Sequence, residues 1–179
     1  MDSIEKTGKP RSNRKTIYKI AISGIFAALI LLATQLKVPT AIGYANLGDG
    51  VILVASFLLG PVAFFPAAIG SALADLVAGY PLYIPATFVI KGLMGLTAGF
   101  LMNSEKVTLV QKIVACTVAE AIMVLGYFGY ESLPFMYGPA AAAGSVLANL
   151  GQAAVGILIG LVLTSILVKQ RASIKVKFL

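Results

Sequence analysis

The sequence predicts an all-α membrane protein. Six transmembrane helices fill residues 17–168, with basic cytoplasmic tails at 1–16 and 169–179. Three observations carry this reading. First, residues 38–48, 50–74 and 132–168 contain no charge at all, and roughly 20 apolar residues suffice for a helix to cross a bilayer. Second, only 12% of residues are charged and mean hydropathy is +0.93, whereas a soluble domain carries about 25% charged residues. Third, threading six spans puts twelve of the fourteen Lys and Arg on one side. The positive-inside rule makes that side the cytoplasm and both tails cytoplasmic. An odd number of spans would strand one basic tail outside.

The spans follow in order. The first covers about residues 17–36 and ends at Lys37-Val38-Pro39. A polar and apolar loop, residues 40–45, leads into Asn46-Leu47-Gly48-Asp49. The second span, about 47–59, is short and stops at Gly60-Pro61. The third runs over about 62–78, and a Gly79-Tyr80-Pro81-Leu82-Tyr83-Ile84-Pro85 elbow follows. The fourth, about 85–102, opens on Pro85, at a position that tolerates a missing N–H. The fifth covers about 107–128 and the sixth about 139–168, with a loop containing Glu131, Pro134 and Tyr137 between them. Such a chain has no room for a nucleotide-binding domain.

Composition excludes several chemistries. The chain has no His, no Trp and one cysteine, Cys116, in an apolar run. That leaves no His-based zinc site, no Ser-His triad and no disulfide framework within one chain. No catalytic residue, metal or cofactor is expected. The segment over residues 1–19 is long and polar, and it leads into a span too long for the apolar core of a signal peptide. Its Lys and Arg read as a topology determinant facing the lipid bilayer, not as a nucleic-acid arm.

Charges at membrane depth are expensive and mark functional or paired groups. Asp75 and Lys91 flank the elbow, 16 residues apart. On this topology Lys91 lies about 9 Å below the outer start of span four, and Glu120 roughly 12 Å below the outer end of span five. Asn149 and Gln152 share one face of span six. Tyr44, Tyr80, Tyr83, Tyr127, Tyr130 and Tyr137 all fall in outer loops or helix ends, and only Tyr18 is inner. An interfacial aromatic belt would decorate both faces, so this bias points to a polar pocket in the outer half. Candidate ligand contacts are Tyr44, Asn46, Tyr80, Tyr83, Lys91, Glu120, Tyr127, Asn149 and Gln152. Two readings stand for several of these. Lys91 can pair with Asp75 or with Glu120 to pin helices. Asp49 can cap span two. Asn149 and Gln152 can be interhelical glue. Asp75 is expected to hold Lys91 in place.

Span one carries small residues at helical spacing: Ser23 with Ala27, and Gly24 with Ala28. Such faces admit a second helix closely, either within the bundle or from a partner. Gly92, Gly95 and Gly99 of span four, and Gly144, Gly151, Gly156 and Gly160 of span six, show similar spacings.

Several of these runs together resemble a known family. They are Asn46-Leu47-Gly48-Asp49, Leu59-Gly60-Pro61, Ile69-Gly70-Ser71-Ala72-Leu73-Ala74-Asp75-Leu76, Gly79-Tyr80, Pro85-Ala86-Thr87-Phe88 and Lys91-Gly92-Leu93. The chain resembles the substrate-binding S components of energy-coupling factor (ECF) vitamin transporters. It is most similar to the riboflavin-type branch, which includes S components for hydroxymethylpyrimidine and pyridoxine. The motifs lie within about residues 46–100. The resemblance implies a vitamin taken from outside, in a pocket under the loop after helix one. It also implies a transmembrane T component and two ATPase subunits as partners, with Ser23, Gly24, Ala27 and Ala28 as the docking face. Lacking Trp, the chain departs from the thiamine-specific branch. With Tyr and Phe as the only stacking groups, a small aromatic ring such as hydroxymethylpyrimidine or pyridoxine is the expected ligand. Riboflavin or pantothenate is the alternative. A stand-alone proton- or cation-coupled carrier, using Asp75 and Glu120 as a relay, is the alternative of another class.

Overall fold

The computed structural model describes residues 11–40 and 43–171. The side chains of residues 11–15, 38–40 and 43–44 lie outside that description, as do residues 1–10 and 172–179 of the expected tails at 1–16 and 169–179. Six helices form one bundle: α1 Arg11–Gln35, α2 Gly48–Leu59, α3 Phe64–Ala78, α4 Ile84–Leu101, α5 Leu109–Glu131 and α6 Pro139–Ile166. The 3₁₀ turns Gly60–Ala63 and Pro81–Tyr83 join α2 to α3 and α3 to α4. The loop expected after helix one is a short antiparallel hairpin, β1 Lys37–Thr40 with β2 Gly43–Asn46. It is in register from Lys37 opposite Asn46 to Thr40 opposite Gly43.

Local chemistry sets the boundaries. Gly60 stands at φ +63°, a conformation open to glycine, and Pro61 follows, so α2 ends there. Gly79 closes α3 in the left-handed region, its N–H bonded to the carbonyls of Asp75 and Leu76. Pro residues sit in the first turns of α4 and α6. A capping box opens α5: Thr108 and Gln111 satisfy each other's backbone N–H.

By length and apolarity, five stretches among the described residues can cross a membrane: Thr16–Gln35, Gly48–Ala78, Pro81–Leu101, Leu109–Glu131 and Pro139–Ile166. The second and third expected spans fall within the one stretch Gly48–Ala78, and the second is short, as expected. The stretch Gly48–Ala78 is two segments of 12 and 15 residues, which fold back on each other at Gly60. At about 1.5 Å per residue, α2 reaches only about 18 Å, short of a hydrocarbon core of about 30 Å. The reversal is plain from the neighbours. Asn46 before α2 and Asp75 and Ala78 of α3 share one space with Thr34 and Gln35 at the end of α1. Gly60 lies instead against Gly99, near the end of α4.

Buried along nearly its whole length, α2 is the centre of the bundle; Ile52, Leu53 and Phe57 are fully buried among Met94, Met102, Met123 and Ile30. By contrast, α1 is peripheral, with Ile17, Ile20, Ile25, Leu29 and Leu32 exposed. One end of the bundle gathers the start of α1, the Gly60 turn, the α4–α5 turn and the end of α6. The other gathers the hairpin, the elbow and the tyrosines. The expected C-terminal tail is partly structural: the Arg171 guanidinium lies 4.5 Å from the Phe57 ring centroid and donates to the Met102 carbonyl. Lys112 is buried beside it, donating to the Thr164 carbonyl at 3.1 Å and to Ser165 Oγ at 3.3 Å. Both cations thus finish helix ends whose carbonyls lack intrahelical donors.

Gly99 allows the α2–α3 turn to reach α4. A Cβ at Gly99 would stand 2.2 Å from the Gly60 carbonyl oxygen and 2.8 Å from Pro61 N, both backbone atoms that cannot swing aside. Gly99→Ala is expected to destabilise the protein by about 1–3 kcal/mol, the usual cost of overpacking, seen as a lower melting temperature in detergent. Gly144→Ala, whose Cβ meets nothing within 4 Å, serves as the control. Equal melting of the two variants would refute this packing account.

Candidate functional site

At the tyrosine end the helices enclose a cavity of about 310 Å³. Helical spacing supplies its walls. Ser71 and Asp75, four apart, face it from α3. Tyr83, Thr87 and Lys91, again four apart, face it from the elbow and α4. Tyr127 and Glu131 do so from α5, and Asn149 and Gln152, three apart, from α6. Thr34, Asn46, Tyr80 and Tyr137 complete the lining.

The floor is a polar knot. Lys91 Nζ forms an ion pair with Asp49 Oδ1, and both side chains are buried. The other Asp49 oxygen accepts from Gln152 Nε2 at 2.6 Å. Gln152 Oε1 accepts from Asn46 Nδ2 at 2.9 Å, and Asn46 Oδ1 accepts from the Gly48 N–H at 2.9 Å. The Lys91 ammonium also lies 5.5 Å from the centroid of the Tyr127 ring, a cation–π distance. One carboxylate therefore ties α2, α4 and α6 together.

The wall is aromatic and hydroxylic. Tyr83 packs edge-on to Tyr80 and Tyr130, with ring centroids at 6.3 and 5.8 Å, and lies 6.3 Å from Tyr127. Its hydroxyl donates to Glu131 Oε1 at 3.1 Å, and Ser145 Oγ donates to Glu131 Oε2. Thr87 Oγ1 and the Tyr127 hydroxyl share a hydrogen bond of 2.9 Å. Three polar groups of the lining have an atom with no hydrogen-bond partner in the protein: Ser71 Oγ, Asp75 Oδ2 and Asn149 Nδ2.

Of the residues expected from sequence, Asn46, Tyr80, Tyr83, Lys91, Tyr127, Asn149 and Gln152 come together around this one cavity. Tyr44 sits in β2 opposite Pro39, and its side chain lies outside the described residues. Glu120 is not on the lining. Its carboxyl is buried one layer deeper, against Gly156 and Asp49, where a Cβ on Gly156 would stand 2.2 Å from Oε1. The expected partner of Lys91 is also corrected: Asp49, not Asp75, holds it, and Asp75 faces the cavity. Asp49 does stand in the first turn of α2, and its carboxylate is engaged by Lys91 and Gln152. Sequence reasoning missed Thr34, Ser71, Thr87, Glu131 and Tyr137. Spacing could have found two of them, since Ser71 and Thr87 stand four residues before Asp75 and Lys91.

A second space, apolar and about 380 Å³, lies near the basic end between α1 and α3. Ser23, Gly24 and Ala27 line it with Phe65, Pro66 and Ile69. A Cβ at Gly24 would meet nothing within 4 Å, whereas the Ala27 carbonyl packs tightly on Gly70 of α3. Ala28 is exposed on α1 but stands outside this groove.

The knot makes a clear energetic demand. Removing one partner of a buried ion pair leaves an uncompensated charge, at a cost of about 3–5 kcal/mol. Lys91→Met is expected to lower the melting temperature in detergent sharply, and Asp49→Asn added to it should recover most of the loss. Lys91→Met melting like the unaltered protein would exclude this pairing.

Comparison with known proteins agrees with the geometry. The model of the ECF-type riboflavin transporter S component family matches residues 14–169. A protein of Pyrococcus woesei, described as an uncharacterized protein in gap 3'region, is 38% identical over 131 residues, covering 72% of this chain and 85% of that protein. The family match runs through all six helices and every wall of the cavity, and the chain belongs to the ECF-type riboflavin transporter S component family.

Proposed function

We propose that the tyrosine-walled cavity is an outward-facing cup that captures a small aromatic vitamin or vitamin precursor, such as hydroxymethylpyrimidine or pyridoxine. Family membership carries the coarser statement: the chain is a vitamin-binding subunit of an ECF transporter, a multi-pass membrane protein and not an enzyme. The observation that carries the finer reading is the cavity itself. Its volume of about 310 Å³ is at the small end of ligand sites, which span about 300–1,000 Å³. Its aromatic walls carry few polar anchors, as ligand sites commonly do. A single ring stacked on Tyr83 or Tyr127 suits it, with hydrogen bonds from Asn149 and Gln152. Lys91 and Asp49 hold the floor. Riboflavin is the second reading, favoured by the description of the matching family; a three-ring flavin needs the hairpin and elbow to part.

Orientation follows from charge. We read α2 and α3 as two crossings, giving six, with both tails on one side. Lys19, Lys106, Lys112, Lys169 and Arg171 gather at the end opposite the cavity. By the positive-inside rule that end is cytoplasmic in a prokaryotic plasma membrane, and the cup opens outward. Asn46 of β2 joins its lining, and β1 and β2 stand beside the end of α1. The apolar groove beside Gly24 is the seat for the transmembrane T component, which carries the two ATPase subunits. Open space at Gly24 and exposure along α1 support that use. Close packing of Ala27 on Gly70 assigns part of the small-residue stripe to the bundle itself.

Mass spectrometry of the molecule that co-purifies with the protein tests the ligand. A one-ring aromatic compound is expected; a flavin would favour the second reading, and a non-aromatic compound would refute both. Gly24→Phe is expected to cut co-purification of the ATPase subunits at least about tenfold without altering the melting temperature. An intact complex would refute docking at α1.

A further inference from the structure

Resting on the cavity as the vitamin site, we propose that its substrate is an amino-bearing, basic heteroaromatic ring, and that carboxylates and phosphates are rejected. Charge bookkeeping in the lining carries this. Three charged side chains face the cavity: Lys91, Asp75 and Glu131. Lys91 is already engaged by Asp49 and by the Tyr127 ring. It is therefore a poor anchor for an anion, because freeing it would leave Asp49 buried and unpaired. Asp75 and Glu131 have no cation within ion-pair distance among the described residues, where Lys91–Asp49 is the one ion pair. Glu120 adds a further carboxyl beneath the floor, against Asp49. Lys37 lines a smaller adjoining space next to Asp75, but it is exposed, where solvent screens it. The lining thus presents two carboxylates without a counter-cation.

The partnerless atoms give the pattern of the ligand. Ionised, Asp75 Oδ2 can only accept, and with no counter-cation beside it a basic N–H or ammonium satisfies it better than a neutral O–H. Asn149 Nδ2 donates, so it asks for an acceptor such as a ring nitrogen. Ser71 Oγ, one turn from Asp75, takes either role. The tyrosine faces favour a cationic or electron-poor ring. An exocyclic amine beside a ring nitrogen offers both partners. A carboxylate in the same place would meet two like charges in a partly desolvated site, the repulsion that discriminates against wrong ligands.

The test is calorimetric titration of the full chain, stripped of bound ligand, in detergent. Two matched series serve as probes. One is pyridoxamine, pyridoxine and 4-pyridoxate. The other is 4-amino-5-hydroxymethyl-2-methylpyrimidine with its 4-hydroxy counterpart. Riboflavin is included. In at least one series the amino member is expected to bind about tenfold or more tighter than its hydroxyl counterpart, with the acid weakest. Asp75→Asn should shrink that ratio by about tenfold and improve 4-pyridoxate binding, a gain that misfolding cannot produce. Glu131→Gln, read as a ratio in the same way, replaces it if Asp75→Asn does not fold. Tightest binding by the acid or by a hydroxyl member, or an unchanged ratio in the folded variant, overturns the inference. Binding of riboflavin alone keeps the vitamin site and overturns the amino-substrate class. Silence from every probe overturns both.

Discussion

The bundle depends on the buried pair of Asp49 and Lys91. Each charge alone would be prohibitive at membrane depth. Together, with Gln152 donating to the second carboxylate oxygen and the Tyr127 ring beside the ammonium, they are satisfied. Replacing such a pair by apolar residues of similar volume is often neutral or stabilising, so its value here is positional. It sets the depth at which α2, α4 and α6 meet, and that depth is the floor of the cavity. It also occupies the one cation among the described residues lining the tyrosine-walled cavity, which leaves the other charged groups of that lining acidic.

The two ends of the molecule are built for different tasks. At the basic end, Lys112 and Arg171 lie over the Phe57 ring and bond to carbonyls near the ends of α6 and α4. At this end α2 turns where Gly60 and Gly99 allow the chain to pack backbone to backbone. At the tyrosine end the helix termini splay around a polar space under a two-stranded hairpin. A short α2 makes this possible. Beginning below the hairpin, it leaves room above Asp49 that a full-length helix would fill. A closed floor beneath an open polar space suits the proposed capture of a ligand.

Much of this was legible in the sequence, because lipid imposes a simple rule. Long uncharged runs gave the helices, and the one-sided Lys and Arg gave the topology now proposed. The tyrosine bias and the i, i+3 spacing of Asn149 and Gln152 located the cavity. What periodicity could not supply was depth and crossing angle. Glu120 shares a helical stripe with Tyr127 and Glu131, so its face was read correctly, yet it lies one layer below the floor. Lys91 could reach Asp75 or Glu120 by depth alone; choosing Asp49 required knowing that α2 passes through the centre of the bundle. Glu131 was read as a loop residue because α5 continues past Phe128, carrying it onto the Tyr127 face. Arg171 was read as tail, and only tertiary packing on Phe57 shows otherwise.

The most direct measurement of the central claim is an experimental structure of the protein isolated with its native small molecule. The account requires that molecule above the Asp49–Lys91 pair, stacked on Tyr83 or Tyr127 and within hydrogen-bond distance of Asn149. Density for it in the apolar groove between α1 and α3, or anywhere outside the tyrosine-walled cavity, would contradict the account.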